Sequence, residues 1–391
     1  MLPLEGITVV SLEHAVAAPF ATRQLADQGA RVIKVERPGV GDFARGYDGR
    51  VRGLASHFVW INRSKESLTL NVKHPQAAPI LRALVAKADV VVQNLAPGAA
   101  ERLGLSFAAL HNAHPGLILC NISGYGADGP DRDRKAYDLL IQSEAGFLSV
   151  TGDEDSPAKA GISVADIAAG MYAYTNILTA LIQRGRTGKG REIDVSMLEA
   201  MAEWMGYPMY YAFDGAPPPP RAGASHATIY PYGPFPVADG TVMLGLQNER
   251  EWAAFCADVL CAPGLAADRR FASNGARTAN KTALAEIVTA AFAKLTVAEA
   301  TAKLEAAGIA NARVNDMAGL WNHPQLAARN RWRDVETPNG PIPAMIPTGW
   351  GGDDEPRMDP VPDLGAHSAT ILQELGFDQA DIDRFSTEGV I

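Results

Sequence analysis

The sequence lacks most of the features that mark specialised classes of protein. Its three cysteines in 391 residues are too few for a disulfide framework, and the spacing of Cys256 and Cys261 matches no usual zinc site. It has no apolar run of about 18 residues that could span a membrane. With 35 Lys and Arg against 44 Asp and Glu, its net charge of −9 excludes the broad basic surface of a general nucleic-acid-binding protein.

Other signals of targeting and metal binding are also missing. The first six residues show no basic stretch followed by an apolar one, so we expect no signal peptide and a cytoplasmic location. No spacing of His, Cys, Asp and Glu predicts a metal site. Cys120 lies in an apolar run and is expected in the core.

The length and composition are those of a globular protein. Hydrophobic residues make up 47% and charged residues 20% of the chain, which makes wholesale disorder implausible. A chain of 391 residues predicts two domains. The 37 glycines and 26 prolines indicate many turns and an extended path.

The first half of the chain alternates strand-like and helix-like segments. Such alternation is typical of an α/β fold with a doubly wound parallel sheet. Strands are predicted at Ile7–Leu12, Arg31–Glu36, Ser67–Val72, Asp89–Asn94, Leu117–Ser123 and Arg191–Ser196, and helices at Pro19–Gln28, Pro75–Ala88, Val164–Arg184 and Glu199–Trp204. The segment Val164–Arg184 is apolar almost all round, so we expect it to be buried.

The second half is less regular. The stiff segment Ala216–Pro220 predicts a domain boundary. Beyond it, Ala238-Asp239-Gly240 predicts the turn of a β-hairpin, and a Pro/Gly-rich stretch from Val335 to Trp350 predicts irregular structure. Helices are predicted at Asn248–Leu260, Arg277–Leu295, Val297–Ala307, Ser368–Leu375 and Gln379–Ser386.

A glycine motif, Gly124-Tyr125-Gly126-Ala127-Asp128-Gly129, follows the fifth strand. Its spelling is that of a dinucleotide-binding fingerprint, but such a fingerprint must open a helix whose N-terminus faces the pyrophosphate. Here the charged turn Pro130–Arg134 follows instead. The context therefore argues against a dinucleotide site.

Asp166 stands at the start of the long apolar helix. One interpretation is structural, with Ser163 as N-cap and Asp166 reaching back to complete a capping box. The other is chemical, because a helix N-terminus favours an ionised carboxylate, and an ionised carboxylate can act as a nucleophile. The residues alone leave both open and favour the capping box.

Basic residues cluster in the first half of this acidic protein. As a group they could bind a polyanion at the strand ends of an α/β sheet, although each alone is more simply a solvated charge. They are Arg37, Arg45, Arg50, Arg52, Arg63, Lys65, Lys73, Arg102 and Lys135. Arg221 and His226, beyond the proline segment, could bind a carboxylate.

Six segments in order make the chain resemble the class III CoA-transferases, the family that includes formyl-CoA transferase and the α-methylacyl-CoA racemases. They cover nearly the whole chain and lie at its start (L-x-G-I-T-V-V), Gly29–Asp42, Asn62–Lys73, Gln93–Gly98, Ser123–Pro130 and Arg186–Ser196. Each is weak alone, but together they are specific.

The resemblance implies a fold and a set of site residues. A Rossmann-like large domain would be built from residues 1–200 and 325–391, with residues 201–224 as linker and a smaller inserted α+β domain at residues 225–324, in an interlocked homodimer. Coenzyme A would be the polyanion, a substrate rather than a tightly bound cofactor. Asp166 would be the catalytic residue, and the CoA site would comprise Ala17, Arg37, Leu70, Lys73, Asn94, Leu95, Arg102, Lys135 and Tyr137.

The resemblance also implies the reaction, in which CoA moves between carboxylic acids through an aspartyl-CoA thioester. A racemase branch carries His where this chain has Tyr137, and neutral tyrosine is a poor base, so we favour transfer. The segment Ala224–Phe235 resembles dicarboxylate-using members, where Arg45, Arg221 or His226 would bind the distal carboxylate. Three hypotheses stay open: CoA transfer between dicarboxylates, acyl-CoA racemisation, and CoA binding without catalysis.

Overall fold

The computed structural model describes residues 1–351 and 355–391. The strands in this part of the chain are Thr8–Leu12 (β1), Arg31–Glu36 (β2), Lys65–Thr69 (β3), Val90–Gln93 (β4), Ile118–Ser123 (β5), Gly152–Asp153 (β6), Ser156–Pro157 (β7), Glu192–Ser196 (β8), Tyr232–Val237 (β9), Gly240–Gly245 (β10), Ala310–Arg313 (β11), Trp332–Val335 (β12) and Ile342–Met345 (β13).

The α-helices of the same residues are Ala17–Asp27 (α1), Ser56–Ile61 (α2), Ala77–Ala86 (α3), Ala99–Arg102 (α4), Phe107–Ala113 (α5), Asp138–Glu144 (α6), Phe147–Val150 (α7), Val164–Thr187 (α8), Met197–Trp204 (α9), Gly206–Tyr211 (α10), Glu249–Ala254 (α11), Asn274–Ala279 (α12), Lys281–Phe292 (α13), Val297–Ala306 (α14), Met317–Trp321 (α15), Pro324–Ala328 (α16), Ser368–Glu374 (α17) and Gln379–Thr387 (α18). Short 3₁₀ turns lie at Phe43–Gly46, Phe213–Gly215 and Pro263–Ala267, and a π-helical turn at Phe255–Val259.

The chain divides into two compact units. The first unit comprises Met1–Ala145, Ala160–Met205 and Gln325–Ile391, and the second comprises Gly146–Lys159 and Gly206–Pro324. The first unit therefore takes residues from both ends of the chain. Within the segment 201–224 that was predicted as linker, residues 206–211 form helix α10.

A six-stranded parallel sheet forms the centre of the first unit, in the order β3-β2-β1-β4-β5-β8. Its central strands are buried throughout β4 and at all but the first residue of β1 and β2, as expected when both faces of a parallel sheet are covered. The doubly wound prediction is confirmed. The strand order reverses between β1 and β4, and ligands of such sheets bind beyond the carboxyl ends of the strands at this switch point.

Helix α8 belongs to the first unit and packs one face, which is rich in small residues, against the rest of that unit. Its buried positions are Ala165, Ala168, Ala169, Gly170, Ala173, Ile177 and Ala180. The prediction that this helix is buried is confirmed for this face alone, because the opposite side is open and Ile182 is 61% exposed. The helix ends at Gly188, whose left-handed backbone lets its N–H bond to the carbonyl of Arg184.

The second unit contains a three-stranded antiparallel sheet. Strands β9 and β10 form the predicted hairpin around Ala238-Asp239, and β11 pairs with β10. The helices α11 to α14 complete a core that includes Trp252, Phe255 and Phe292. The predicted helix Arg277–Leu295 is interrupted at Asn280, which separates α12 from α13.

Two further predictions differ from the structure. The stretch Val335–Trp350, expected to be irregular, contains most of the hairpin of β12 and β13. The extended linkers that the family resemblance implies include Pro338–Gly352, of which Gly352 lies outside the described residues. Strand β3 runs from Lys65 to Thr69 rather than from Ser67 to Val72, because its parallel ladder with β2 already starts at Lys65, opposite Val32. No helix in the described part of the chain is both long and apolar enough to cross a membrane.

Candidate active site

The N-terminus of helix α8 is capped from another helix. Oδ1 of Asp138, the first residue of α6, accepts the backbone N–H groups of Ala165 at 2.8 Å and Asp166 at 3.3 Å. The Ser163 side chain makes no capping hydrogen bond, so the predicted capping box is wrong. At ψ 69° the Ser163 backbone departs from the extended conformation that usually directs an N-cap hydroxyl to the second or third helical N–H.

Asp138 is itself held in place by Gln142, which lies one turn further along α6. The amide nitrogen of Gln142 donates to Oδ2 of Asp138 at 2.6 Å, and the Gln142 oxygen accepts the backbone N–H of Ala160 at 2.9 Å. The Gln142 side chain is completely buried. These bonds tie α6 to the segment that leads into α8.

The carboxylate of Asp166 lies in the first turn of α8, partly buried, and accepts no hydrogen bond from any described residue. Burial, and secondly the negative charge of Asp138, raise the pKa of Asp166 from 3.8 to about 7. This shift runs against the expectation that the helix terminus would keep this carboxylate ionised. The N–H groups that would have stabilised its charge are bonded to Asp138 instead.

Gly170 brings α8 close to the start of α1. A Cβ built on Gly170 would lie 2.7 Å from the main-chain oxygen of Ala17 and 3.0 Å from Cδ1 of Phe20. Gly170 follows Asp166 by four residues and so shares its side of the helix. The face of α8 that carries Asp166 is thereby directed towards the first turn of α1, where Ala17 was predicted to form part of the CoA site. Sequence analysis missed Gly170, although a glycine inside a long helix is a usable signal of close packing.

The turn between β1 and α1 is held by side chains from two other segments. Asn94 clamps His14, since its Oδ1 accepts the His14 N–H and its Nδ2 donates to the His14 carbonyl, both at 2.9 Å. Asp42 accepts the N–H of Ala15 at 3.1 Å, and Ala15 has a left-handed backbone at φ 60°. The backbone entering α1 is therefore fixed before any ligand binds.

Four buried charges lie beneath this turn. Lys65 contacts Glu13 at 2.7 Å, and Lys34 contacts Glu13 at 3.3 Å and Asp42 at 2.8 Å, with all four side chains at 0% exposure. Burial alone would raise the pKa of Glu13, but Lys65 and Lys34 outweigh it and lower that pKa to about 2. Two carboxylates and two ammonium groups balance each other, which allows charge to be buried here.

The comparison with known proteins decides the family. The profile described as CoA-transferase family III matches residues 4–368. The chain belongs to this family. It is therefore an enzyme, and CoA-transferases use CoA thioesters as substrates.

Individual relatives cover nearly the full length of the chain. The succinyl-CoA:glutarate CoA-transferase of Mus musculus is 33% identical, over 100% of this chain and 91% of the relative. The acetyl-CoA:oxalate CoA-transferase of Acetobacter aceti is 34% identical over 97% of both. Among solved structures, a CaiB/BaiF family protein of Brucella suis superposes with a TM-score of 0.85 at 33% identity, covering 96% of this chain and 99% of that one.

Most of the residues that the family resemblance assigned to CoA lie beyond the carboxyl ends of strands of the parallel sheet. Arg37 follows β2, Leu70 and Lys73 follow β3, Asn94 and Leu95 follow β4 with Arg102 at the end of α4, and Lys135 and Tyr137 follow β5. Arg37, Lys73, Arg102, Lys135 and Tyr137 are exposed. Leu70 is buried, and the Asn94 amide is already bonded to His14.

Arg45 has a complete set of partners inside the first unit. Its guanidinium binds both oxygens of Glu36, at 2.8 and 2.7 Å, and donates to the carbonyl of Pro362. It also lies 3.8 Å above the ring of Phe58. This arrangement favours a structural role over the predicted contact with a substrate carboxylate.

Arg221 and His226 belong to the second unit. Arg221 donates to the main-chain oxygens of Asp153 at 2.9 Å and Glu154 at 2.6 Å, which fixes it to the turn between β6 and β7. Nδ1 of His226 accepts the N–H groups of Thr228 and Ile229, both at 3.1 Å. The His226 proton therefore sits on Nε2, which leaves that atom as a donor.

The glycine motif opens no helix, and the charged segment after it forms a turn at residues 130–133, as predicted. β5 ends at Ser123, and the next helix, α6, begins only at Asp138. A Cβ on Gly124 would lie 2.2 Å from that of Ala136, so this glycine serves close packing. Among the described residues no group of three His, Cys, Asp or Glu side chains could hold a metal ion, and Cys120 is buried in the core as predicted.

Proposed function

We propose that the enzyme transfers CoA between dicarboxylic acids through an aspartyl-CoA thioester on Asp166. The observation that carries the proposal is the state of this carboxylate: partly buried, without a hydrogen bond from the described residues, and in the first turn of α8 beside the start of α1. A carboxylate without protein partners has both oxygens available for attack. Its raised pKa makes it a stronger nucleophile than a solvated aspartate once it is ionised.

The reaction divides into four displacements. An Asp166 oxygen attacks the donor thioester carbonyl, the C–S bond breaks, and a mixed anhydride and CoA thiolate form. The thiolate attacks Cγ of Asp166 and displaces the donor carboxylate, which leaves the aspartyl-CoA thioester. The acceptor carboxylate attacks the same Cγ and releases the thiolate, which then attacks the acceptor carbonyl of the new anhydride. Acceptor-CoA leaves, and Asp166 is regenerated as a carboxylate without net proton transfer.

Both covalent intermediates hydrolyse readily, so the site has to keep water away from Asp166. Main-chain N–H groups near the start of α1 are candidates for stabilising the oxyanion of each addition. The clamps on His14 and Ala15 support this role, because they fix the backbone at the entrance to α1. Such pre-arranged donors cost no reorganisation at the moment of reaction.

The proposed CoA site lies beyond the carboxyl ends of the strands. Exposed cations there suit the phosphates of CoA, and the proposed contacts are Ala17, Arg37, Leu70, Lys73, Asn94, Leu95, Arg102, Lys135 and Tyr137. The local cluster of positive charge compensates for the acidity of the whole chain. The interlocked homodimer is part of the same proposal.

The dicarboxylate specificity rests on the names of relatives. They include succinate–glutarate, succinyl-CoA:mesaconate and succinyl-CoA–D-citramalate CoA-transferases, each at least 30% identical. His226 and Arg221 are proposed to bind the distal carboxylate, and the Nε2 proton of His226 suits that role. Arg45 is left out because the Glu36 carboxylate already neutralises its guanidinium, whereas Arg221 bonds to main-chain oxygens that carry no net charge.

A panel of acids tests the proposal. The enzyme is incubated with succinyl-CoA and glutarate, mesaconate, citramalate or oxalate, and new CoA esters are identified by mass spectrometry. We expect transfer to at least one dicarboxylate, lost in Asp166→Asn and retained in Asp383→Asn, an exposed control on α18. Uptake of deuterium at the α-carbon without a new CoA ester would instead support racemisation. CoA binding without either reaction would support the hypothesis that the protein binds CoA without catalysis.

A further inference from the structure

Two carboxylates meet at the start of helix α8, and only one of them is used for capping. We propose that Asp138 is a positioning residue that caps α8 in place of the helix's own side chains and so leaves the Asp166 carboxylate free to react. This inference rests on the proposed role of Asp166. It adds a residue that the CoA-binding set does not contain.

The position of Asp166 explains why such a device is needed. Asp166 is the third residue of α8, and an acidic residue there commonly reaches back to the N-cap backbone and becomes a structural group. Here the N–H groups of Ala165 and Asp166 are both bonded to Oδ1 of Asp138, and Ser163 does not cap. The helix start is therefore fixed from α6, and the Asp166 side chain has no structural task.

Asp138 can perform this task because its own position is determined twice. It begins α6, where Gln142 donates to its Oδ2, and the same Gln142 accepts the N–H of Ala160. Both oxygens of Asp138 are thus used as acceptors, and the buried amide of Gln142 connects the cap to the segment entering α8. A shift of α6 would move the backbone of Asp166 with it.

The cap also acts on Asp166 through its charge. Two ionisable groups interact electrostatically with Asp166: Asp138 from α6, and the Tyr47 hydroxyl from the segment after the first 3₁₀ turn. Neither is a cation. Burial first and Asp138 second raise the pKa of Asp166 to about 7, so Asp138 contributes to the proton affinity of the nucleophile as well as to its position.

Three variants separate the two effects. Asp138→Asn keeps an oxygen for the two N–H groups of α8 but removes the charge and the acceptor for the Gln142 amide, whereas Asp138→Ala also removes the oxygen that caps α8. Glu144→Gln removes the same charge from the exposed end of α6 and serves as the matched control. Each is assayed for transferase kcat and kcat/KM between pH 5 and pH 9, and checked for folding by circular dichroism and for CoA binding.

We expect a wild-type acid limb near the pH 7 of Asp166. In Asp138→Asn this limb moves to lower pH by on the order of one unit, because removing a like charge favours the ionised nucleophile. Asp138→Ala, with α8 uncapped, loses roughly ten-fold or more in kcat with a smaller change in KM, as expected when the geometry of a reacting group is disturbed. Glu144→Gln is expected to match the wild type in both the pH of the acid limb and kcat.

Two results would overturn the inference. The first is a pH profile of Asp138→Asn that superimposes on that of the wild type. The second is a folded Asp138→Ala enzyme with the kcat of the wild type. Asp166→Asn distinguishes this failure from failure of the proposed function. If Asp166→Asn is inactive while the Asp138 variants behave as wild type, only the positioning role fails; if Asp166→Asn is active, the covalent mechanism itself fails.

Discussion

A side chain at Gly170 would collide with the backbone of Ala17, since an added Cβ would lie 2.7 Å from the Ala17 carbonyl oxygen. This contact sets the distance between α8, which carries Asp166, and the first turn of α1. The proposed nucleophile, Asp166, and Ala17 of the predicted CoA site are thus placed by a residue that itself has no reactive group. Several testable consequences depend on this arrangement.

Replacing Gly170 by alanine should separate the two helices. We expect Gly170→Ala to destabilise the fold by about 1–3 kcal/mol through overpacking and to lower kcat/KM, because Asp166 and Ala17 move apart. Gly185→Ala is the matched control, since Gly185 lies in the same helix with nothing within 4 Å of an added Cβ. It should be stabilised by roughly 0.5–1 kcal/mol. Urea unfolding and steady-state kinetics measure both, and equal behaviour of the two variants would contradict the account.

Ionisation of Asp166 should weaken the fold. Its pKa is about 7 in the folded protein and near 3.8 when unfolded, so the folded state holds the proton more tightly. Stability is therefore unaffected below pH 3.8, falls as the pH rises between these values, and stays reduced above pH 7. Asp166→Asn should accordingly be more stable than the wild type at pH 8, by at most about 4 kcal/mol, and similar at pH 4. A stability difference that does not change with pH would argue against the raised pKa.

The buried charges beneath the β1–α1 turn should be sensitive to removal of one partner. Glu13→Gln leaves Lys34 and Lys65 with one carboxylate fewer, so we expect a loss of about 3–5 kcal/mol in the free energy of unfolding. Glu286→Gln on the exposed side of α13 should change it by less than about 0.5 kcal/mol. Guanidinium denaturation provides the comparison, and a tolerated Glu13→Gln would show that the network contributes little.

Ala15 tests the rigidity of the same turn. Its φ of 60° is accessible to glycine and strained for a β-branched residue. We expect Ala15→Gly to keep wild-type stability and CoA affinity, and Ala15→Val to lose about 1–2 kcal/mol and to bind CoA more weakly. Thermal melting and isothermal titration with CoA measure these effects. Tight CoA binding by Ala15→Val would mean that this backbone is not part of the site.

The sequence predicted the parallel sheet well because its strands carry a local signal. Arg31–Glu36 alternates like a strand and Leu117–Ser123 is mostly apolar; both are short and separated by helical segments, and the structure has strands at both. The β9–β10 hairpin was predicted for the same reason, through its turn residues. The hairpin of β12 and β13 was missed because a Pro/Gly-rich stretch gives no local pattern of pairing.

The site was predictable only in part. The family motifs indicate Asp166 as the candidate nucleophile, but the cap on α8 depends on Asp138, which lies 28 residues earlier and reaches the helix only through the fold. The pairing of Arg45 with Glu36 and the clamp of Asn94 on His14 are likewise tertiary contacts that no local spacing reveals. The local sequence pattern therefore predicted the helices and strands, whereas the contacts of each polar side chain became known only from the structure.

The most direct test of covalent catalysis is a trapped adduct on Asp166. The enzyme is mixed with succinyl-CoA without an acceptor, quenched with hydroxylamine, digested and analysed by mass spectrometry. The account predicts a hydroxamate on the peptide that contains Asp166, absent from Asp166→Asn and from enzyme without succinyl-CoA. Formation of new CoA esters by an enzyme whose Asp166 stays unmodified throughout turnover would contradict it.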